Sequence, residues 1–238
     1  MKIVTSFSPN RIERQQYCVS TWAKYGLPIV AVQTTGEAAQ MQEHYPGVTF
    51  VETDKTGIAH SRPRCPTIAA MCAQATDEDI LLINSDISVK DTGAQFRHAW
   101  MRDRGRRLVV GIRKDFDRVG GEKWLNPYGI DAYRITPEMA GVVLAEEDRL
   151  GLGFAIGCPG WDYWIAWLLW YHGHTIEVAK SSLLHPIHEW NWTKEQHAHA
   201  LEMLIKHYRL TPHMWTCFAQ EATGRRGMSW RKQTAPKW

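Results

Sequence analysis

The sequence predicts a single α/β domain with a mixed, mainly parallel β-sheet flanked by helices. In the first third of the chain, short apolar segments rich in β-branched residues alternate with segments of helical periodicity, a pattern typical of βαβ units. The chain has 238 residues, of which 44% are hydrophobic, which is enough to bury one full core. We therefore expect residues 1–238 to form one Rossmann-like domain.

Each predicted element follows from its periodicity and from the Gly, Pro or capping residue at its boundary. Strands are predicted over 2–7 (KIVTSF), 28–33 (PIVAVQ), 48–53 (VTFVET), 80–83 (ILLI), 107–116 (RLVVGIRKDF) and 129–137 (GIDAYRITP), with a Gly- and Pro-containing loop between the last two. The segment 175–192 (TIEVAKSSLLHPIHEWNW) is predicted to supply one more strand and a histidine-bearing loop. Helices are predicted over 11–25, 67–75, 137–148, 161–172 and 194–208, the last with Thr193 and Gln196 as a capping box.

Composition excludes several classes of protein. No segment approaches 18 uncharged apolar residues, and no signal-peptide pattern follows Met1, so we expect a cytoplasmic protein without a membrane partner. The five cysteines are scattered and form no CxxC pair, which argues against a disulfide framework and a thiolate zinc site. The formal charge of +3 does not by itself indicate a polyanionic partner.

The segment 79–87, DILLINSDI, carries the first indication of chemistry. Its apolar strand ends in Asn84, Ser85 and Asp86, polar groups that a buried strand cannot easily hold. Such residues are common in loops, so the pattern is also compatible with an ordinary strand end. However, ligands of open α/β sheets bind outside the carboxyl ends of strands, where a carboxylate can hold a metal ion against a phosphate.

In order and context, residues 1–192 resemble glycosyltransferases of the GT-A fold, in which a short DxD motif ends the strand after the nucleotide-binding βαβ unit. The resemblance implies metal-dependent transfer of a sugar from a nucleotide-sugar, with a UDP-sugar as the expected donor, to an acceptor hydroxyl. Residues 1–90 would then bind the nucleotide-sugar, residues 91–192 would form the acceptor and catalytic half, and residues 193–238 would form a C-terminal helix and basic tail. Asn84 departs from the motif at its first position.

The resemblance also implies a metal site for Mn²⁺ or Mg²⁺. Asp86 stands where the family has its direct metal ligand, and Asn84 is at most a hydrogen-bonding partner for ribose or bound water. A histidine after the acidic helix often completes the site, which leaves His185 or His188; we favour His185 because it directly follows the apolar strand SLL. A structural role remains an alternative for either histidine.

Other donor contacts are predicted by position. Arg62 and Arg64 precede the DxD-like strand and could each offer two parallel hydrogen bonds to diphosphate oxygens, although surface arginines are an equal alternative. Ser6 and Ser8 follow the first strand, where this fold receives the nucleoside. Ser85, within the DxD-like segment, completes the predicted donor contacts.

Asp162 is the predicted catalytic base. It stands at the start of a helix in PGWDYW, where inverting GT-A enzymes commonly place an Asp or Glu that deprotonates the acceptor. An acidic residue in the first turn is also stabilised by the helix dipole without any catalytic role. The tryptophans that recur every third residue from Trp161 to Trp170 predict packing against the sheet more than ligand binding.

The acceptor is not defined by the sequence. Arginines are concentrated in 102–107 (RDRGRR), and residues 224–238 carry five basic residues and no acidic one, beside Trp230 and Trp238. These segments are compatible with DNA as the acceptor, for example a hydroxymethylated base, as for some viral enzymes of related fold. A sugar or a protein acceptor is equally compatible.

Three other functions were weighed. A nucleotidyltransferase also places a carboxylate-bound metal at its strand ends, but TSFSPNR (5–11) lacks the expected Gly-rich phosphate loop. A noncatalytic nucleic-acid-binding protein would use the arginines and tryptophans but leaves Asp86 unexplained. A zinc hydrolase is disfavoured because the chain contains no HExxH pattern.

Overall fold

The computed structural model describes residues 1–57, 65–117, 121–186 and 193–209, and only the backbone of 116, 117 and 121–128. These residues form a mixed α/β structure in which a mostly parallel sheet is flanked by helices, as the sequence predicts. None of the helices in these ranges is long and apolar enough to cross a bilayer.

The sheet contains nine strands within the described residues. They are β1 (Lys2–Thr5), β2 (Ile29–Thr34), β3 (Val48–Thr53), β4 (Ile80–Ile83), β5 (Ser88–Val89), β6 (Arg107–Asp117), β7 (Gly121–Ile135), β8 (Thr175–Val178) and β9 (Leu183–Pro186). Their order is β3-β2-β1-β4-β7-β6-β9-β5, and β8 pairs with the first residues of β6. The strands β1 to β4 are parallel, whereas β7 runs antiparallel to both β4 and β6.

Helices cover both faces of the sheet. They are α1 (Ile12–Ala23), α2 (Ala38–Gln42), α3 (Ile68–Cys72), α4 (Gly93–Phe96), which continues as a π-helical turn over Arg97–Met101, α5 (Pro137–Leu150), α6 (Trp161–Tyr171) and α7 (Lys194–Tyr208). Neighbouring strand residues enter different cores: Leu82 packs with α3, α5 and α6, whereas Leu81 packs with α1 and the π-helical turn. Successive side chains of a strand point to opposite faces of the sheet, and here both faces are covered by apolar helices. The central strands are therefore hydrophobic at every position.

The predicted tryptophan packing is confirmed for the first three tryptophans of the stripe. Trp161, Trp164 and Trp167 are buried in the core beneath α6. The indole of Trp164 donates a hydrogen bond to the hydroxyl of Tyr208 on α7, 2.9 Å away. Because Trp164 is fully enclosed, its ring is not available to stack on a bound sugar.

Two predictions at the middle strands were wrong. The loop expected between 117 and 128 is instead largely strand, because β7 begins at Gly121 and pairs with β6 through Asp115↔Trp124 and Asp117↔Gly121. The single strand expected after 175 is divided into β8 and β9, and both pair in parallel with β6. His185 consequently lies within a strand rather than in a loop.

Glycine at position 111 is required by the packing between β6 and β9. A Cβ atom there would stand 2.4 Å from Leu183 Cδ1 and 2.8 Å from Trp100 Cη2. We expect Gly111→Ala to lower the free energy of unfolding by roughly 1–3 kcal/mol in urea denaturation, because the core must shift to admit the methyl group.

Gly141→Ala provides the matched control. Gly141 lies within α5, and a Cβ atom there would meet nothing within 4 Å. Alanine should therefore stabilise the protein by up to about 1 kcal/mol through its higher helix propensity. Equal effects of the two substitutions would show that the contact at Gly111 is not a constraint.

Candidate functional site

The topology brings charged residues from four strand segments to one edge of the sheet. Since β4, β6 and β9 run in one direction and β7 runs in the other, the end of β4 lies beside the middle of β7, and β9 lies beside the second half of β6. We call the resulting group the charged edge; its members are Asn84, Asp86, Arg113, Asp115, Asp131 and His185. Ligands of α/β sheets bind outside this kind of edge.

Arg113 links the carboxylates on its two sides. Its Nη1 donates to Asp131 Oδ2 over 2.9 Å, and its Nε lies 3.1 Å from Asp115 Oδ1. Asn84 donates from Nδ2 to the other oxygen of Asp131 over 3.3 Å. Burial disfavours the guanidinium charge, but Asp131 and Asp115 outweigh it and raise the pKa of Arg113.

His185 connects the remaining carboxylates. Its Nδ1 lies 2.9 Å from Asp115 Oδ1, and its Nε2 lies 3.3 Å from Asp86 Oδ2. Burial alone would lower the pKa of His185, but the hydrogen bonds to Asp115 and Asp86 raise it to about 9. At neutral pH the imidazolium therefore donates from both nitrogens.

A bulged strand and a glycine give Arg113 its position. The pairing of β6 with β7 shifts register between Gly111 and Ile112 and again between Ile112 and Lys114. Bulges of this kind re-aim side chains and are frequent next to functional sites. A Cβ atom at Gly129 would stand 2.7 Å from Arg113 Nε and 3.1 Å from Arg113 Cγ, so the side chain crosses the space that glycine leaves open.

Asp162 lies in the first turn of α6, where it is half-buried and close enough to Asp131 and Arg113 to be affected by their charges. The hydroxyl of Tyr133 on β7 donates to the main-chain oxygen of Asp162, which fixes the start of this helix against the sheet. Burial, followed by the negative charge of Asp131, raises the pKa of Asp162 to about 7, although the main-chain N–H of Tyr163 and the charge of Arg113 act in the other direction. A carboxyl with this pKa can accept or release a proton at neutral pH.

Asp86 and His185 could hold a divalent cation once Nε2 of His185 gives up the proton that it donates to Asp86. Two ligands at about 2.1 Å from one ion and near a right angle stand about 3 Å apart, close to the separation of Nε2 and Oδ2. Asp115 on Nδ1 is the kind of carboxylate partner that metal-binding histidines have on their second nitrogen. The ranges that the structure describes hold no group of three His, Cys, Asp or Glu ligands, so phosphate and water would have to complete the shell. The imidazole favours Mn²⁺ over Mg²⁺.

Ser6 and Ser8 lie in the loop after β1, which two buried glutamines hold. Ser6 donates from its hydroxyl to Gln33 Oε1 over 2.9 Å, and the main-chain N–H of Ser8 donates to Gln15 Oε1 over 2.8 Å. Ser85 is buried, and its main-chain N–H donates to Asn84 Oδ1 over 3.1 Å. These contacts serve the fold, and contacts of the three serines with a nucleotide-sugar stay a prediction.

A pocket of about 760 Å³ opens between the first turns of α1 and the ends of β5 and β9. It borders the charged edge, because Ser88 and Pro186 in its wall lie two residues after Asp86 and one after His185. Helix α1 is tied to the chain beyond Asp86: Trp22 Nε1 donates to the oxygen of Ile87 over 2.8 Å, and Val89 N–H donates to Thr21 Oγ1 over 3.0 Å.

The basic segment 102–107 lies away from this region. It precedes and begins β6, at the sheet edge opposite the charged edge and roughly 20 Å from Arg113 along the strand. Three of its four arginines pair with acids: Arg104 and Arg107 with Glu177, and Arg106 with Glu138. The segment is therefore a poor candidate for a polyanion surface near Asp86. Other predicted contacts lie outside the described residues, namely Arg62, Arg64, His188 and the tail 224–238.

Sequence reasoning missed Arg113, Asp115 and Asp131. The signal was the one that drew attention to Asp86: charged residues within or directly after an apolar strand, here in IRKDF (112–116) and GIDAY (129–133). Each of the three could equally have faced solvent from an exposed strand face. Arg11 and Arg14, in the pocket wall, were also missed.

Comparison with known proteins adds no assignment: neither protein-family profiles nor curated protein sequences match the chain significantly.

The pKa of His185 predicts a pH-dependent contribution to stability. Because it rises from 6.5 to about 9 on folding, the ion pairs of His185 stabilise the protein fully below pH 6.5, and this contribution is lost as pH rises through about 9. Its full size is roughly 3 kcal/mol. In urea denaturation with a chelator present, the difference in unfolding free energy between the wild type and His185→Gln should therefore narrow from pH 6 to pH 9. A difference that stays constant over this range would contradict the assignment.

Proposed function

We propose that the protein is a metal-dependent glycosyltransferase of the GT-A type, which transfers a sugar from a nucleotide-sugar, with a UDP-sugar as the first donor class, to an acceptor hydroxyl. One observation carries the proposal: Asp86 and His185, from different parts of the chain, face each other at 3.3 Å on the carboxyl edge of the sheet. The sheet order and the antiparallel strand beside β4 support the same fold class.

Asp86 and His185 would hold Mn²⁺ or Mg²⁺. When bound, such an ion stabilises the negative charge that develops on a diphosphate leaving group. Asp115 accepts from Nδ1 of His185 and so keeps Nε2 directed toward Asp86. Arg113 balances the charge of Asp115 and of Asp131, which allows several carboxylates to remain ionised in a half-buried region.

Asp162 would remove the proton from the attacking hydroxyl. A base whose pKa lies near the working pH combines a substantial ionised fraction with adequate basicity. The negative charge of Asp131 favours proton uptake by Asp162, whereas Arg113 limits the effect. The hydroxyl of Tyr133 donates to the main-chain oxygen of Asp162 and holds the start of α6, so Asp162 keeps a fixed position relative to the charged edge.

The acceptor class stays open in this proposal. Three of the four arginines of 102–107 pair with Glu177 or Glu138, which weakens the support that this segment gives to DNA as the acceptor. A modified base in DNA would then depend on the tail 224–238 for binding. A sugar or protein hydroxyl requires no such surface.

Substitution of the facing pair tests the proposal directly. We expect Asp86→Asn and His185→Ala each to lower Mn²⁺-dependent transfer or hydrolysis of a nucleotide-sugar by about 100-fold or more, because the leaving group loses its counter-charge. Asn84→Ala should have a smaller effect. Asp103→Asn is the matched control, since Asp103 accepts from Gly105 N–H over 2.8 Å at the opposite edge.

Product analysis decides between related activities. Release of a nucleoside diphosphate from a nucleotide-sugar supports sugar transfer. Release of pyrophosphate from a nucleoside triphosphate would identify a nucleotidyltransferase, which a metal at the same strand ends also fits. A folded Asp86→Asn variant with normal turnover would exclude both activities at this edge.

Asp162→Asn tests the catalytic base. Asparagine keeps the size of the side chain but cannot take up the proton, so transfer should fall by about 10²–10⁴-fold. In the wild type, the rate should fall as pH drops below about 7, where Asp162 becomes protonated, and this acid limb should be absent from the variant. The donor dissociation constant should change little. Unchanged transfer by Asp162→Asn would assign the residue to helix capping and favour a retaining mechanism.

A further inference from the structure

The two proposed metal ligands lie on a pair of short strands that hydrogen-bond to each other. Asp86 comes two residues before β5, and His185 lies within β9. The two strands are antiparallel, with Ser88 opposite Leu184. The separation of the Asp86 and His185 side chains therefore depends on how firmly β5 and β9 are held together.

The pairing of β5 with β9 is too short to fix that separation without further contacts. β5 has two residues and ends the order of strands in the sheet that the structure describes. A strand of this length at the end of a sheet contributes few main-chain hydrogen bonds. Side chains that extend the pairing therefore matter more here than at the central strands.

Asp91 extends the pairing with its side chain. The main-chain N–H of Lys90 donates to the oxygen of Ser182 over 3.0 Å, which continues the contact between the strands beyond β5. Asp91 Oδ1 then accepts from the N–H of Ser182 over 2.7 Å, and Oδ2 accepts from the hydroxyl of Ser181 over 2.6 Å. Both carboxylate oxygens thus hold the residues that lead into β9, just before His185.

Asp91 and Ser181 are themselves held by two further elements. The hydroxyl of Tyr25, just after α1, donates to the main-chain oxygen of Asp91 over 2.8 Å, and its ring stacks on Phe96 of α4. Trp100, in the π-helical turn, donates from Nε1 to Ser181 Oγ over 3.1 Å. Asp91 is only 4% exposed. A buried polar network whose members are hydrogen-bonded fixes one arrangement more strictly than apolar packing does.

We infer that Asp91 is a positioning residue for the proposed metal ligands. Through Ser181 and Ser182 it fixes β9 against β5, and this sets the distance between His185 and Asp86. The effect on metal affinity rests on the proposed function, whereas the spacing of the two side chains rests on the contacts of Asp91. Ligands that are already held at the separation an ion requires need little rearrangement when it binds, which favours affinity.

Titration of the full-length protein with Mn²⁺, followed by electron paramagnetic resonance, tests the effect on metal binding. We expect Asp91→Ala to raise the Mn²⁺ dissociation constant by about 10-fold, because β9 is no longer fixed against β5. Ser181→Ala, which leaves the bond to Ser182 in place, should raise it by about 3-fold. Asp91→Asn keeps one acceptor oxygen and should recover part of the affinity. Equal dissociation constants in the wild type and folded Asp91→Ala would contradict the effect on metal affinity.

Asp79→Asn is the matched control. Asp79 precedes β4 at the opposite edge of the sheet, where its carboxylate accepts from Arg134 Nε over 2.7 Å. Its substitution should lower stability without changing the Mn²⁺ dissociation constant. In the transfer assay, Asp91→Ala should raise the Mn²⁺ concentration that gives the half-maximal rate and leave the rate at saturating Mn²⁺ nearly unchanged. A purely structural role would instead lower the rate at saturation through a smaller folded fraction.

A second measurement needs no metal and remains decisive if Asp91→Ala does not fold. In urea denaturation at pH 7 with a chelator, a double-mutant cycle of Asp86→Asn and His185→Gln gives the coupling between these two side chains. We expect this coupling to fall by about half when Asp91→Asn or Ser181→Ala is introduced into all members of the cycle.

The outcomes separate this inference from the proposed function. A coupling that is unchanged in the folded Asp91 and Ser181 variants overturns the inference, even if Asp86 proves essential for transfer. A wild type without measurable coupling overturns it as well, since there is then no pair to position. Reduced coupling in these variants, in a protein that transfers no sugar, supports the positioning role and overturns the proposed function.

Discussion

The Arg113 guanidinium allows four charged strand segments to meet at one edge of the sheet. It stands 2.9 Å from Asp131 and 3.1 Å from Asp115, and these carboxylates would otherwise repel each other in a region with little water. Asp115 in turn orients His185, so the direction of the imidazole that faces Asp86 depends on the same cation. Removing one member of such a buried network leaves its partner charged and unpaired. The resulting loss of stability is larger than the net contribution of the intact pair to the free energy of folding.

Support for the site comes from side chains far from it in sequence. Trp22 and Thr21 of α1 hold the chain immediately after Asp86, whereas Gln15 and Gln33 fix the loop that follows β1. The pocket wall and the segment that carries Asp86 are therefore attached to the same helix. A shared rigid support keeps two binding elements in register and reduces the conformational entropy lost when a ligand engages both.

The sequence was informative where a local pattern determines structure, and it failed where spatial neighbours decide. Asp86 was singled out because polar groups directly after an apolar strand are locally unusual, and His185 because the GT-A resemblance implies a histidine in that region and His185 directly follows SLL. The capping box at Thr193 and Gln196 formed as predicted. Arg113 and Asp131 were missed because their meeting depends on bulges in β6, and a shift of one residue would turn each side chain to the other face. A loop was predicted over 117–128 because the segment contains Gly and Pro. Pairing with β6 instead makes most of this segment a strand. The arginines of 102–107 were counted as free charge, since a one-dimensional reading cannot see Glu177 or Glu138 beside them.

Gly129 carries no charge, yet the position of the Arg113 guanidinium depends on it. Arg113 crosses the space where a side chain would begin, with its Nε 2.7 Å from the site of an added Cβ. Any larger residue would displace the guanidinium from between its two carboxylates, and their charges would then be felt by His185 and Asp162. Substitutions at position 129 would therefore shift the pKa values of His185 and Asp162. In a survey of all single substitutions, these variants would show a changed pH dependence before they lost the fold.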